Sequence, residues 1–213
     1  VEVVHTSATD VGDGASIAVD SRGVVHIGYV DRTADDLRYA VREVGGGWTT
    51  SIVDATNRIH LEASIELTSG GAPRIASYAA SAGARLYYSA LQAGVWSSEQ
   101  AATGGQYAAL ELDGSDQPHV VHFSISSGLT YTTKTGMTWT SQLVDHGSVN
   151  GQEGDMVLDN QGQVHAVAID PGTQQLRYAT SAVAVLGPDP ETSWFVGDLA
   201  DVPWFGAGPG RLR

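Results

Sequence analysis

The chain has 213 residues, enough to bury one sizeable core, and no cysteine, so disulfide and thiolate chemistry are closed to it. Acids outnumber bases 24 to 11, a formal charge of −13, which argues against nucleic acid and anionic membrane as partners because both demand basic patches. No apolar run approaches the roughly eighteen residues of a membrane helix and no basic-then-apolar leader is present, so no membrane insertion is expected. A single lysine, Lys134, stands against ten arginines, which with abundant Ala and Gly reads as the coding bias of a GC-rich bacterium.

In chain order, Val1–Thr6 (VEVVHT) matches the closing run of the units that follow, as in Ser51-Ile52-Val53-Asp54. The chain is therefore expected to begin inside a unit whose earlier part has been processed away or truncated. The next stretch, Ser16–Asp54, organises everything after it. Ser16–Val19 leads into the Asp/Gly turn Asp20-Ser21-Arg22-Gly23. Val24–Val30, rich in β-branched residues, reads as a strand, and Arg32–Asp36 as a polar loop. Leu37–Arg42 is a third run, Gly45-Gly46-Gly47 a turn, and Trp48–Val53 a fourth run. None shows apolar spacing at three and four, so the unit is a four-stranded antiparallel meander.

Three looser copies follow. Val19, Leu67, Leu112 and Leu158 end the first strand at spacings of 48, 45 and 46, and His26, Arg74, His119 and His165 each lie seven residues later. Tyr39, Tyr88, Tyr131 and Tyr178 each follow a Leu by two, and Trp48, Trp96, Trp139 and Trp194 each open the fourth strand. A period near 45 with four strands per unit predicts an all-β fold, a β-propeller. The expectation is one propeller domain or propeller fragment over 1–213, with blades at about 14–54, 62–101, 107–145 and 153–201 and partial blade strands at both ends. In the second blade Thr68-Ser69-Gly70-Gly71 has lost the turn Asp. In the fourth, Leu176 to Trp194 is 18 residues against 11, 10 and 10 elsewhere, which predicts a long loop between its third and fourth strands. The tail VPWFGAGPGRLR reads as a loop and the start of a further first strand, so a second chain or a missing segment is expected to complete the propeller; the alternative is a closed four-bladed ring with Val1–Thr6 docked as an extra edge strand.

A four-stranded sheet cannot hide two apolar faces by itself and must stack on neighbours. Leu and Tyr two apart point to one side of the sheet, and each buried aromatic removes about 150–250 Å² from water, at most about 4–6 kcal/mol. The Tyr and Trp columns therefore predict packing between blades, with a stacking platform for sugar rings as the functional alternative.

The strings SIAVDSRGVVHIGYVD and MVLDNQGQVHAVAID resemble bacterial propeller repeats of the sialidase-like, BNR-type group, and AVDSRG with the short loop before LRYA is similar to NHL repeats. The resemblance spans nearly the whole chain and implies blades. The Asp-box pattern Ser-x-Asp-x-Gly-x-x-Trp is met in no unit, so no enzymology comes with it.

Candidate chemistry falls into three groups. The row His26, Arg74, His119 and His165 either faces an anionic or polyhydroxy ligand or makes one repeated hydrogen bond from each blade to neighbouring backbone. Glu66 and Glu111 interrupt innermost strands, where unpaired acids are costly. Each precedes the basic residue of its blade by eight, so internal pairs Glu66–Arg74 and Glu111–His119 are expected, with a glycosidase acid/base pair as the alternative. The loops joining strand four to strand one, and strand two to strand three, share one face, where propeller ligands often bind. That face gathers Asp31, Arg32, Asp35, His60, Glu62, Arg85, Tyr107, Glu153, Asp155, Asp170 and Trp204, a mixture suited to sugar or peptide recognition and equally to a solvated rim. No metal or cofactor is expected; the oxygen-rich run Asp145, Asn150, Glu153, Asp155 offers weak scope for calcium, although its spacing fits no EF-hand loop. The leading expectation is a non-catalytic, extracellular or surface-bound bacterial binding propeller with carbohydrate or another small polar ligand as partner. The alternatives are a fragment of a glycan-processing glycosidase or lyase, and a protein-interaction scaffold.

Overall fold

A computed structural model describes residues 1–7, 10–56, 58–81, 83–124, 126–146, 152–170, 173, 175–182 and 193–198, with the side chains of 152, 153, 182 and 193–198 excepted. Four antiparallel sheets follow one another along the chain, each a meander in sequence order. Blade 1 is β1 (Val11–Val19), β2 (Val25–Asp31), β3 (Asp36–Arg42) and β4 (Trp48–Asp54). Blade 2 is β5 (His60–Leu67), β6 (Pro73–Ala79), β7 (Arg85–Gln92) and β8 (Val95–Thr103). Blade 3 is β9 (Gln106–Leu112), β10 (Pro118–Ser124), β11 (Gly128–Thr135) and β12 (Thr138–Asp145). Blade 4 is β13 (Gln152–Leu158), β14 (Val164–Asp170), β15 (Gln175–Ala182) and β16 (Ser193–Asp198). The innermost strands β1, β5, β9 and β13 stand side by side. This is the propeller arrangement, and no helix occurs among the described residues.

Local chemistry sets each blade. In the turn after β1, Asp20 Oδ1 accepts the N–H groups of Arg22 and Val24, both at 2.9 Å, and Gly23 takes φ +84, a left-handed conformation that costs glycine nothing. Asp113 does the same for Ser115 and Gln117, and Asp159 for Gln161 and Gln163. Blade 2 lacks the acid, and Thr68 Oγ1 accepts the Ala72 N–H at 2.9 Å instead. The Asp is replaceable because only one acceptor oxygen four residues upstream is needed.

Blades meet by one repeated contact. The trailing face of blade 1 (Val30, Leu37, Tyr39, Val53) packs on the leading face of blade 2 (Ala63, Ile65, Ile75). Blades 2 and 3, and then 3 and 4, pack in the same way. Tyr39 lies edge-on to Trp96 with centroids 5.2 Å apart, and Tyr88 to Trp139 at 5.3 Å, so in these two seams a tyrosine packs against the next blade's tryptophan. The inner strands are stitched as well: Ser16 Oγ accepts the Ile65 N–H and Ser64 Oγ the Leu110 N–H. Ala109 breaks the series, and the Met156 N–H turns to Asp155 Oδ1 at 2.9 Å.

Residues 1–7 differ from the expectation of a fourth strand; they carry no strand. Glu2 reaches Arg42 and Trp48, and His5 Nδ1 lies 3.0 Å from Tyr29 Oη. The segment thus lies against blade 1, held by side-chain contacts rather than by a strand ladder.

Candidate functional site

The face bearing the loops after β2 and β4 holds buried, internally paired charge. Asp31 accepts the N–H groups of Thr33 and Ala34 and lies 3.2 Å from Arg38 Nε, while Asp36 holds Arg38 Nη2 at 3.2 Å. Burial pushes the Asp36 carboxyl up, and Arg38 only partly offsets it. Asp170 and Arg177 repeat the arrangement in blade 4 at 3.7 Å, and Arg177 also reaches Asp145 of blade 3 at 3.3 Å. His60 is buried with Nε2 3.5 Å from Asp54, whose carboxylate also pairs with Arg58, and the Arg58 guanidinium lies over the Tyr87 ring at 4.4 Å. Glu62 is half-buried; desolvation raises its carboxyl, and the backbone N–H groups of Tyr107 and Ala108 offset part of that. Arg85 donates to Gln100 at 3.0 Å, and exposed Arg32 pairs with Asp13.

Asp35 and Tyr107 hold positive φ, and Tyr107 packs on the seam between blades 3 and 4. Asp155 is exposed at β13. The Glu153 side chain and Trp204 lie outside the described residues, as does Asn150 of the calcium candidate, whose Asp145 is engaged by Arg177. Asp31, Arg32 and Asp35 belong to blade 1, His60, Glu62 and Arg85 to blade 2, Tyr107 to blade 3, and Asp155 and Asp170 to blade 4, and each of the buried acids is paired within its own blade or with its immediate neighbour. A crevice of about 10 Å³ lies among Asp145, Asp170 and Arg177, too small to do more than hold a water.

The row on the second strands is tied to the tyrosine column. His26, His119 and His165 place Nδ1 at 2.6, 2.5 and 2.6 Å from the hydroxyls of Tyr39, Tyr131 and Tyr178. The partner is thus a tyrosine of the same blade, where neighbouring backbone was the alternative to a ligand. The turn aspartates flank the far nitrogen, Asp113 at 3.6 Å from His119 Nε2 and Asp159 at 3.4 Å from His165 Nε2. Blade 2 departs from the row. Arg74 donates to the carbonyls of Pro73 and Leu91 at 3.0 and 3.2 Å and hydrogen-bonds Tyr88.

The expected inner-strand charge pairs do not form. Glu66 faces Arg74 across the hairpin and Glu111 faces His119, as the register required. Yet Arg74 follows the row to its tyrosine, and His119 pairs with Tyr131 and Asp113. The competing partners sit on the same blade and satisfy several donors at once, which one carboxylate across the strand does not. Left without a cation, Glu66 is raised by burial, and Glu111 is pushed up to about 7 by burial first and then by the charges of Glu66 and Asp155.

The larger openings lie on the opposite face, beside the turns after first and third strands. One of about 730 Å³ is bounded by the first turns of blades 1 and 2, Asp20–Arg22 and Thr68–Gly71, with Glu66. Another, of about 410 Å³, lies between blades 2 and 3. Arg74, Tyr88, Ser98 and Glu99 form one wall of this cleft, and Gln117 and Lys134 the other. Lys134 pairs with Glu99 and stands 5.6 Å from the Trp139 ring centroid. Arg74 has no carboxylate within ion-pair distance among the described residues. The sequence marked Arg74 as the one non-histidine of its row and Lys134 as the sole lysine. It gave no sign that Glu99, Ser98 and Gln117 would join them, because they meet only across a blade seam.

No protein-family model matches the chain, and no curated protein matches it. Solved structures share its fold. A protein of unknown function from Dyadobacter fermentans superposes with TM-score 0.61 at 14% identity, over 84% of this chain and 68% of that one. The SapL1 lectin in complex with alpha methyl fucoside gives TM-score 0.61 at 12% identity, over 88% of this chain and 63% of the lectin. A thermostable family-43 glycoside hydrolase gives 0.53 at 10% identity, over 89% of this chain and 72% of the hydrolase. AofleA from Arthrobotrys oligospora gives 0.54 at 12% identity, and the chain spans 58% of its length. The chain thus covers less than two thirds of the SapL1 and AofleA structures.

Proposed function

We propose that this chain is a glycan-binding β-propeller that holds a saccharide in the cleft between blades 2 and 3. The observation that carries the reading is the cleft itself, where Arg74 replaces the repeated histidine. A saccharide needs donors and acceptors in alternation beside an apolar surface. Arg74, Ser98, Gln117 and the Lys134–Glu99 pair supply the first and Tyr88 the second. About 410 Å³ falls within the range of small-ligand sites. That the similarly folded SapL1 lectin is complexed with a methyl fucoside supports the ligand class. A glycan array followed by calorimetry on the best ligand tests it. Arg74→Ala is expected to weaken binding at least tenfold, as for loss of a charged hydrogen bond of about 1.5–3 kcal/mol, while Arg32→Ala on the far face leaves affinity unchanged. Absence of any glycan ligand, or an affinity indifferent to Arg74, overturns the reading.

One observation favours glycoside hydrolysis as a second reading. Glu111, pushed up to about 7, is protonated near neutrality as a general acid requires, with Glu66 as a neighbouring carboxylate. Turnover of aryl glycosides abolished by Glu111→Gln supports it; an inactive wild-type protein across a broad substrate panel rejects it.

A further inference from the structure

Hydrogen-bonding capacity in the cleft between blades 2 and 3 is unevenly taken up. Both carboxylates that line it are engaged. Glu99 pairs with Lys134 across the seam, and Asp116 accepts the Ser69 N–H at 2.6 Å on one oxygen and the Ser69 hydroxyl at 2.9 Å on the other. Arg74 is met only by neutral groups. Its Nη1 donates to the carbonyls of Pro73 and Leu91, and the guanidinium hydrogen-bonds Tyr88. A guanidinium has more N–H donors than these acceptors take, so donors remain to be matched. Glu66 stands opposite on the hairpin but forms no ion pair with it. The charge is also particular to this blade. Burial lowers the imidazoles of His26 and His119, so those positions of the row are neutral near pH 7, whereas Arg74 is a permanent cation.

We infer that the ligand of this cleft is an acidic saccharide, a uronic acid residue whose carboxylate takes the remaining N–H donors of Arg74. The inference rests on the saccharide reading of the cleft and narrows it to one chemical class. With the carboxylates of Glu99 and Asp116 already engaged, the capacity left open is that of a cationic donor, and an anionic acceptor answers it. A carboxylate presents two acceptor oxygens to the guanidinium fork, and such charge-assisted bonds are about twice as strong as neutral ones. A neutral sugar would offer Arg74 hydroxyls alone. The sugar hydroxyls then face Gln117 and the Lys134–Glu99 pair on the walls of the cleft. The formal charge of −13 does not oppose this. Exposed charges beyond about 8 Å are screened at physiological salt, and within the cleft Glu99 is neutralised by Lys134.

Titration calorimetry with the methyl glycosides of glucuronic, galacturonic and mannuronic acid, each beside its methyl ester, tests this. Acid and ester differ only in the charge at one carbon. The best of the acids is expected to bind at least about tenfold more tightly than its own ester, the worth of a charge-assisted hydrogen bond. Added salt should narrow that margin. Arg74→Ala is expected to bring acid and ester level, and Arg74→Lys, which keeps the charge without the fork, to retain part of the preference. The ester comparison uses the wild-type protein, so it stands even where a variant fails to fold. An ester or a neutral glycan that binds as tightly as any acid, and is weakened by Arg74→Ala, overturns the acidic class and leaves the saccharide reading intact. A sulfated sugar preferred over every uronide overturns the carboxylate. Absence of binding by any saccharide overturns both readings together.

Discussion

His122 and Glu111 carry opposite pH dependences into the same part of the scale. His122 is buried with Nε2 2.8 Å from Thr132 Oγ1, and burial pushes its imidazole down to about 4. The unfolded chain takes up that proton near 6.5, so the associated stability is full above about 6.5 and lost as pH falls through about 4. Glu111 runs the other way. Its carboxyl is raised from 4.5 to about 7, so its contribution is full below about 4.5 and lost as pH rises through about 7. Between about 4.5 and 6.5 the two slopes offset. Urea unfolding of Glu111→Gln should therefore show stability still climbing through this window. At pH about 8 the variant should exceed wild type by about 1–2 kcal/mol, a figure discounted for the solvent that reaches this half-exposed group. A variant with the wild-type profile would show that Glu111 titrates normally.

At the scale of the element, strand connections are fixed as much by close approach as by turn chemistry. Gly105 enters β9 at φ +137, and a Cβ there would stand 2.8 Å from Leu86 N. Gly94, in the turn between β7 and β8, has φ +77 and nothing within 4 Å. Gly94→Ala is expected to cost about 1–2 kcal/mol, the left-handed strain alone. Gly105→Ala adds a clash with backbone that cannot move aside, for a total of about 3–4 kcal/mol. Equal losses in thermal unfolding would mean that the connection relaxes freely.

Over the whole molecule, the value of a tryptophan depends on whether a blade stands in front of it. Trp139 is backed by Tyr88 across a seam, whereas Trp48 opens the fourth strand of the first blade and meets Arg42 and Glu2, with no aromatic ring against it among the described residues. Trp139→Ala should cost about 3–5 kcal/mol and Trp48→Ala about 1 kcal/mol. Comparable losses by denaturant titration would show that blade stacking is not what holds these rings.

The fold was legible because its signals are local. Side chains alternate with period two, each Asp or Thr closes its turn four residues on, and Leu, Tyr and Trp recur at fixed offsets, so order and number of strands could be read from Ser16–Asp54 and its copies. The charge pairs were not legible. Register placed Glu66 opposite Arg74, but the guanidinium turned to Tyr88, a choice among partners a few ångströms apart that sequence spacing does not resolve. The site escaped for a related reason. Asp31, His60 and Asp170 stand at strand ends, where the fold buries and pairs them, while the cleft of Arg74, Glu99, Gln117 and Lys134 exists only where two sheets meet. Sequence by itself determined the blades and the faces they stack on, because those follow from backbone geometry repeated every 45 residues or so. Which polar groups pair and where space is left open was decided by the tertiary structure, because both depend on how neighbouring blades are set against each other.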